Sequence, residues 1–483
     1  MNIYLILQMA VEAMGEREAV KLNDYSITFS ELNNMSKSVA SLVKNKEKIG
    51  FLSENNLLMP AALFGAAIAG VEFVPLNYRL SKEQLNMQLK RISPAILFTD
   101  EDIMVEGIRT IGTNTLTFDD IIEIGYDSDD EAVAVELFTS GTTGEPKSAV
   151  LKHKNLMAYI LGTVEFMSAE EEESVLLSVP PYHIAGIAAV LSSSYSGRKI
   201  VQLPNFSAQA WTELVIQEKI TNAFLVPTML KRIVEQYSED LSLPSLKNVA
   251  YGGGKMPRSV IERAMKLLPN VNFTNAYGLT ETSATICMLG PEDHRSAFNS
   301  SDILIKRRLS SVGRPIPSIE LIIKDDEGKI CLSEELGNVW VRGEQVSGEY
   351  KGIGSKLDSE GWFPTKDRGF LDNDGYLFID GRADDIIVRG GENISPGEIE
   401  DVVRAHPMVE DVAAVAVKDT EWGEAVGLVI VAKCHINDRE IIELIKRKLR
   451  SSRVPSIIKY MDELPYNETG KLLRRVIRDN FAD

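Results

Sequence analysis

Short apolar runs alternate with amphipathic stretches along most of the chain, and this alternation predicts its architecture. AILFTD (Ala95–Asp100), AVAVELF (Ala132–Phe138), VLLSVP (Val175–Pro180), KIVQL (Lys199–Leu203), AFLVP (Ala223–Pro227), NVAYG (Asn248–Gly252) and VNFTNAYG (Val271–Gly278) read as strands. Between them, AWTELVIQEKI and SVIERAMKLL carry apolar residues at helical spacing. Alternating strands and helices predict an α/β fold, with mixed, mostly parallel sheets flanked by helices. Ligands of such sheets sit beyond the carboxyl ends of the strands. MNIYLILQMAVEAMGER lacks a basic leader and a small-residue cleavage site, so it reads as an amphipathic helix and not as a signal peptide. Leu57–Leu76 holds one charge, Glu72, and by length could span a bilayer. Pro60, Pro75 and the internal glycines predict instead a buried helix followed by a buried strand, with no transmembrane segment. After Asp380 the pattern changes: DVAAVAVKD, AVGLVIVAK and SIIKYMD read as strands, and DREIIELIKRKLRSS as an amphipathic helix. The expected division is a large domain over residues 1–380, a polar junction GRADD at 381–385, and a small α+β domain over 386–483.

The 483 residues are too many for one compact core, in keeping with that division. A net charge of −18 argues against a nucleic-acid partner, which needs a basic face. It leaves room for an anionic small molecule in a locally positive pocket. The cysteines Cys287, Cys331 and Cys434 are far apart and lack metal spacing, which points to a reducing, cytoplasmic setting.

One stretch carries explicit chemistry. In FTSGTTGEPK, Thr139, Ser140, Gly141, Thr142, Thr143 and Gly144 follow an apolar strand, and Lys147 follows them. Glycines let backbone N–H groups converge, hydroxyls add donors, and the lysine adds positive charge, a combination suited to a polyphosphate. The bland reading is a polar turn.

FTSGTTGEPK, NAYGLTE, GWFPTKD, GRADDIIVRGGENISPGEIE and NETGK occur in the order and approximate spacing of the adenylate-forming superfamily. From about residue 20 to its end the chain resembles that family, and within it the carboxylate–CoA ligases most. The resemblance implies two half-reactions. A carboxylate attacks the α-phosphate of ATP to give an acyl-adenylate and pyrophosphate; the thiol of coenzyme A then displaces AMP. Between the two, the small domain of these enzymes rotates.

By the same resemblance, Lys471 in NETGK is the adenylation lysine and Thr280 contacts the α-phosphate. Glu281 is the magnesium ligand, with Thr139 assisting. Physically, two anions must be brought together, so donors and cations have to offset their repulsion. Adenine is expected against Tyr277, beside Gly253, Gly254 and Lys255, with Asn275 reading it and Gly278 allowing close approach. Asp367 grips the ribose with help from Arg382. Gly390 and Gly391 open a channel for the pantetheine arm, and Asp384 is the hinge. His183 matches a histidine that shapes the acyl pocket, whose other expected walls are Ala185, Gly186, Ile187, Tyr251 and Ala276. The chain departs from the family at Lys366, where glycine is usual, and at Pro181, where Leu or Met is usual. The backbone is expected to differ at the first and to be stiffer at the second.

Amino-acid-activating relatives hold the substrate ammonium with an aspartate near His183. YHIAGIAAV has no carboxylate, and an unpaired buried ammonium is costly, so the acid is not an amino acid. Aliphatic, alicyclic and aryl acids stay open, as do a carrier protein in place of CoA and a homodimeric state. An inactive nucleotide-binding protein is the reading from another class. It would have lost Lys471 or Glu281, and both are present.

Overall fold

The structure is a computed structural model that describes residues 1–113, 125–126, 128–139, 147–237, 241–467 and 472–481. It forms two compact units: Met1–Glu320 with Val341–Phe363, and Leu321–Trp340 with Pro364–Asp483.

In the first unit the run Leu57–Leu76 folds as the helix Leu58–Ala69 and the strand Phe73–Pro75. Leu58 to Ile68 are all buried, so the helix is apolar all round because every face meets protein. Gly70 stops it with φ of 65°, the left-handed cap that glycine adopts most easily. The helix Phe29–Ser41 starts at a capping box, in which Thr28 and Glu31 each satisfy the other's backbone N–H.

These helices cover two sheets. One has nine strands, with Ser174–Leu177, Lys199–Gln202, Asn222–Leu225, Asn248–Gly252 and Asn272–Leu279 running parallel at its centre. The other has eight strands and includes Lys48–Phe51, Phe73–Pro75, Val133–Thr139 and Lys147–Lys152. The first three of those are parallel, and the last returns antiparallel to Val133–Thr139. Every apolar run read as a strand before Asp380 is one. At the start of Lys48–Phe51, Lys48 lies 2.7 Å from both the half-buried Glu72 and the buried Glu136, so both carboxylates are paired. Burial pushes the Glu72 carboxyl up, but its hydrogen bonds and ion pairs outweigh that effect and hold it down at about 2.

The second unit contains most of a four-stranded sheet, Glu320–Lys324, Gly337–Arg342, Phe363–Leu371 and Leu377–Arg382. A 3₁₀ turn, Ala383–Asp385, leads to the C-terminal α+β elements. There the strands Val409–Asp419 and Gly423–Ala432 are buried on both faces. Val412, Ala414 and Leu428 pack with Ile399 and Ile441, while Ala413, Val415 and Val429 pack with Leu464 and Ile477. This grouping puts residues 321–340 and 364–380 with the C-terminal part, whereas the sequence reading gives everything up to residue 380 to the large domain. Among the described residues no helix is long and apolar enough to cross a membrane.

Candidate active site

In the first unit the expected residues gather at the carboxyl ends of the parallel strands. The strand Asn248–Gly252 ends at Gly252, where a Cβ would lie 2.2 Å from the Ala276 carbonyl oxygen. Gly253 follows with φ of 83°. The neighbouring strand Asn272–Leu279 carries Asn275, Ala276, Tyr277 and Gly278, with a register shift between the last two. A Cβ at Gly278 would fall 1.7 Å from the Ala284 oxygen, so only glycine fits there. The Asn275 amide is buried and donates to the Ser311 carbonyl at 3.3 Å.

The chain then tightens into the 3₁₀ turn Thr280–Thr282. Thr282 Oγ1 accepts from the Leu279 amide at 3.0 Å and closes the turn. Ser283 and Ala284 leave it at φ of 57° and 120°, a conformation side-chain-bearing residues keep only when their surroundings impose it. This turn holds Glu281 from two sides. The amides of Ser347 and Gly348 donate to its carbonyl at 3.0 and 3.1 Å, and the Tyr350 hydroxyl donates to Oε1 at 2.6 Å. Tyr350 is itself paired with Ala149 on Lys147–Lys152, and that strand packs against the turn. Glu281 is thereby fixed relative to the strand that Lys147 begins. Thr139 pairs with Lys147, and its Oγ1 donates to the Lys147 carbonyl at 3.3 Å. Ser140, Gly141, Thr142, Thr143, Gly144 and Lys471 lie outside the described residues.

His183 precedes the helix Ile184–Ser196, its ring 4.6 Å from that of Tyr182. Tyr182 in turn meets Tyr78 edge-on at 5.4 Å. A Cβ at Gly186 would come within 3.1 Å of the Pro180 oxygen, so the helix start sits tight against the Pro180–Pro181 turn. Ala185 is half-buried beside it. Tyr251 and Ile187 are placed differently: both are wholly buried in the core and offer no surface to an acyl group here. The Tyr251 hydroxyl lies 2.8 Å from His294 Nε2, and His294 Nδ1 lies 2.8 Å from the Gly290 carbonyl. Because a carbonyl only accepts, Nδ1 carries the proton and Tyr251 donates to Nε2. Burial lowers the His294 pKa to about 4, which keeps that ring neutral. Tyr78, Tyr350 and His294 were not found from sequence. Each acts through a partner distant in the chain, and no motif marks them.

In the second unit Asp367 is buried and lies 3.4 Å from Arg382 Nε, its partner across the strands. The two residues expected at the ribose are therefore brought together. Lys366 has φ of 65°, the left-handed region glycine adopts most easily, so the lysine has not removed that conformation. Gly390 and Gly391, with φ of 57° and 83°, turn the hairpin Ile387–Ile394 as a two-residue loop with both φ positive requires. The Gly390 amide donates to the Trp422 carbonyl at 3.0 Å, and a Cβ there would strike the Trp422 ring at 2.6 Å. Both the turn and the close ring demand glycine. Three residues beyond Lys471, Arg474 is anchored by Glu400, by the Ala414 carbonyl at 2.7 Å, and by Asp385 at 3.5 Å.

No described cluster of three or more His, Cys, Asp or Glu is arranged to hold a metal. One oriented carboxylate, Glu281, suits a hard cation that keeps waters and takes its remaining oxygens from phosphates. Magnesium fits that donor set.

The family pattern for AMP-binding enzymes matches residues 7–351, and that for the AMP-binding enzyme C-terminal domain matches 398–471. A 2-succinylbenzoate–CoA ligase of Bacillus cereus is 29% identical over 474 residues, spanning 96% of this chain and 95% of its own. The o-succinylbenzoate CoA synthetase (MenE) of Bacillus subtilis, in complex with the acyl-adenylate intermediate OSB-AMP, superposes with a TM-score of 0.86. It is 28% identical and covers 100% of this chain and 98% of that one. Its complex with ATP and magnesium ion gives 0.85 at 28% identity, covering 99% of each chain. With these matches running along almost all its length, the chain belongs to the AMP-binding, adenylate-forming enzyme family.

Proposed function

We infer that the protein is an ATP-dependent carboxylate–CoA ligase. It activates a carboxylic acid as acyl-AMP with release of pyrophosphate, then transfers the acyl group to the thiol of coenzyme A with release of AMP. The observation that carries this reading is Glu281, anchored by Tyr350 and by two backbone amides beside the strand that Lys147 begins. A carboxylate held in place beside that strand suits the binding of Mg·ATP. When bound, magnesium neutralises charge on the phosphate oxygens. The chain's residues do the rest. Lys147 and the 139–144 hydroxyls and amides receive the departing pyrophosphate. Asp367 and Arg382 orient the ribose, and Tyr277 covers adenine. ATP and CoA as substrates, with free cysteines among the described residues, favour a cytoplasmic enzyme.

The acid class we favour is aromatic. Tyr78 and His183 are half-buried and pack around the buried Tyr182 beside Ala185 and Gly186, and the ring surface these two leave open suits an aryl group. The relatives named for 2-succinylbenzoate make that acid the first to test. A panel of aryl, alicyclic and aliphatic carboxylates, scored by acid-dependent pyrophosphate release, tests the assignment. Aryl acids should give the highest kcat/KM, and a preference for long aliphatic acids would overturn it. Offering CoA or a phosphopantetheinylated carrier protein in the same assay separates a CoA ligase from a carrier-loading enzyme.

Tyr350→Phe removes one hydrogen bond to the Glu281 carboxylate. Such a bond to a charged group is worth about 1.5–3 kcal/mol. Adenylation kcat/KM should therefore fall about 10- to 150-fold, with the magnesium concentration needed for half-maximal rate rising in parallel. Titration at fixed ATP checks this, and an unchanged magnesium requirement would show that Tyr350 does not orient Glu281.

A further inference from the structure

Lys366 occupies a left-handed backbone position, φ of 65°, which glycine adopts most easily. A side-chain-bearing residue is strained there, so the conformation must be imposed by its neighbours. They are visible: Thr365 Oγ1 donates to the Val339 carbonyl at 2.8 Å and accepts from the Asp367 amide at 3.1 Å, pinning the strand on both sides of Lys366. Glycine would satisfy this backbone without strain. What the lysine adds is its ammonium, which lies 3.5 Å from the carboxylate of Asp384 in the 3₁₀ turn Ala383–Asp385. Two ion pairs of opposite polarity thus link the same strand ends: Asp367 to Arg382 and Lys366 to Asp384. The next residue, Asp385, is held by Arg474 and Arg478 from the C-terminal helix. The turn is therefore gripped by cations from both sides. A cavity of about 280 Å³, lined by Lys324, Asp325, Asp326, Trp340, Lys366 and Ala383, adjoins the pair and gives the lysine room to swing away.

We propose that Lys366 is a positioning residue for the swivel: its pair with Asp384 holds the 383–385 turn in the arrangement seen here and opens when the C-terminal part turns. The proposal rests on reading Asp384 as the pivot of a two-step ligase. Both side chains are partly exposed, so the pair biases the two arrangements modestly and is screened by salt. The quantity to read is the ratio of the two half-reaction rates, acyl-AMP formation and conversion of supplied acyl-AMP with CoA to acyl-CoA.

Lys366→Gln and Asp384→Asn should each shift that ratio in the same direction by about 2–5-fold at low ionic strength. The double variant should shift it no further, since both changes break one contact. Lys366→Arg should restore the wild-type ratio. In high salt the wild type should approach the Lys366→Gln value. Lys366→Gly, which relieves the backbone strain, should give the same ratio as Lys366→Gln together with a higher Tm. An unchanged ratio in Lys366→Gln, or additive effects of the two single changes, would overturn the proposal. Absence of acid-dependent pyrophosphate release in the wild type would instead defeat the ligase reading, so the two failures are distinguishable.

Discussion

Lys471→Ala should lower acid-dependent pyrophosphate release by about 10²–10³-fold, the size of effect seen when one electrostatic contact to a transition state is removed. In the first half-reaction a carboxylate approaches a phosphate, and negative charge accumulates between them. A cation brought to that point lowers the barrier more than it stabilises the separate substrates, so the loss falls on kcat and not only on KM. The second half-reaction has no such need, because the adenylate is already formed and the attacking group is a thiol. The variant should therefore convert supplied acyl-AMP and CoA to acyl-CoA at close to the wild-type rate. Equal losses in both steps would show that Lys471 is not specific to adenylation. Just beyond Lys471 the chain is anchored within the C-terminal part, where Arg474 is tied to Glu400 and to the Ala414 carbonyl.

Asp384→Pro should separate the half-reactions by about 10-fold or more. Lys471 and the Gly390–Gly391 turn belong to the same C-terminal part, and in the proposed reaction each serves a different step. Two arrangements follow, with a swivel where few residues absorb the φ/ψ change. Proline fixes φ near −65° and restricts Ala383 as well, without altering a substrate contact. If proline suits the adenylating arrangement, acyl-AMP formation should stay near normal while its conversion to acyl-CoA falls steeply. Each step is measured alone, with pyrophosphate release for the first and supplied acyl-AMP for the second. Wild-type rates in both would mean that Asp384 is not the pivot.

Much of the fold was legible because burial leaves a direct trace. A parallel strand covered on both faces reads as an apolar run, as with AILF, and the helix Leu58–Ala69, buried from Leu58 to Ile68, betrayed itself by its lack of charge. Strands such as Ala284–Leu289 and Glu320–Lys324, which mix exposed and buried positions, left no comparable signal. At the site, motifs marked Glu281, Asp367 and the glycines, yet they were silent about what holds them. The need for glycine at 278 comes from the Ala284 carbonyl, and the orientation of Glu281 comes from Tyr350, 69 residues away. Tyr251 shows the converse limit. A strand residue faces one of two sides, and its neighbours in sequence do not say which. The resemblance made it a pocket wall, whereas the structure turns it into the core against His294. Lys366 keeps a glycine-like backbone because Thr365 is pinned to Val339, a contact no local pattern encodes.

The central claim, acid activation followed by thioester formation, is tested most directly by a burst experiment with substrates in excess. Enzyme is mixed with Mg·ATP and 2-succinylbenzoate, or the best acid of the panel, and pyrophosphate and bound acyl-AMP are followed before and after CoA is added. The account predicts a stoichiometric, acid-dependent burst of pyrophosphate with acyl-AMP retained, then its conversion to acyl-CoA and AMP with continuous turnover once CoA is present. Pyrophosphate release that ignores the acid, or an acyl-AMP that CoA leaves untouched, would contradict it.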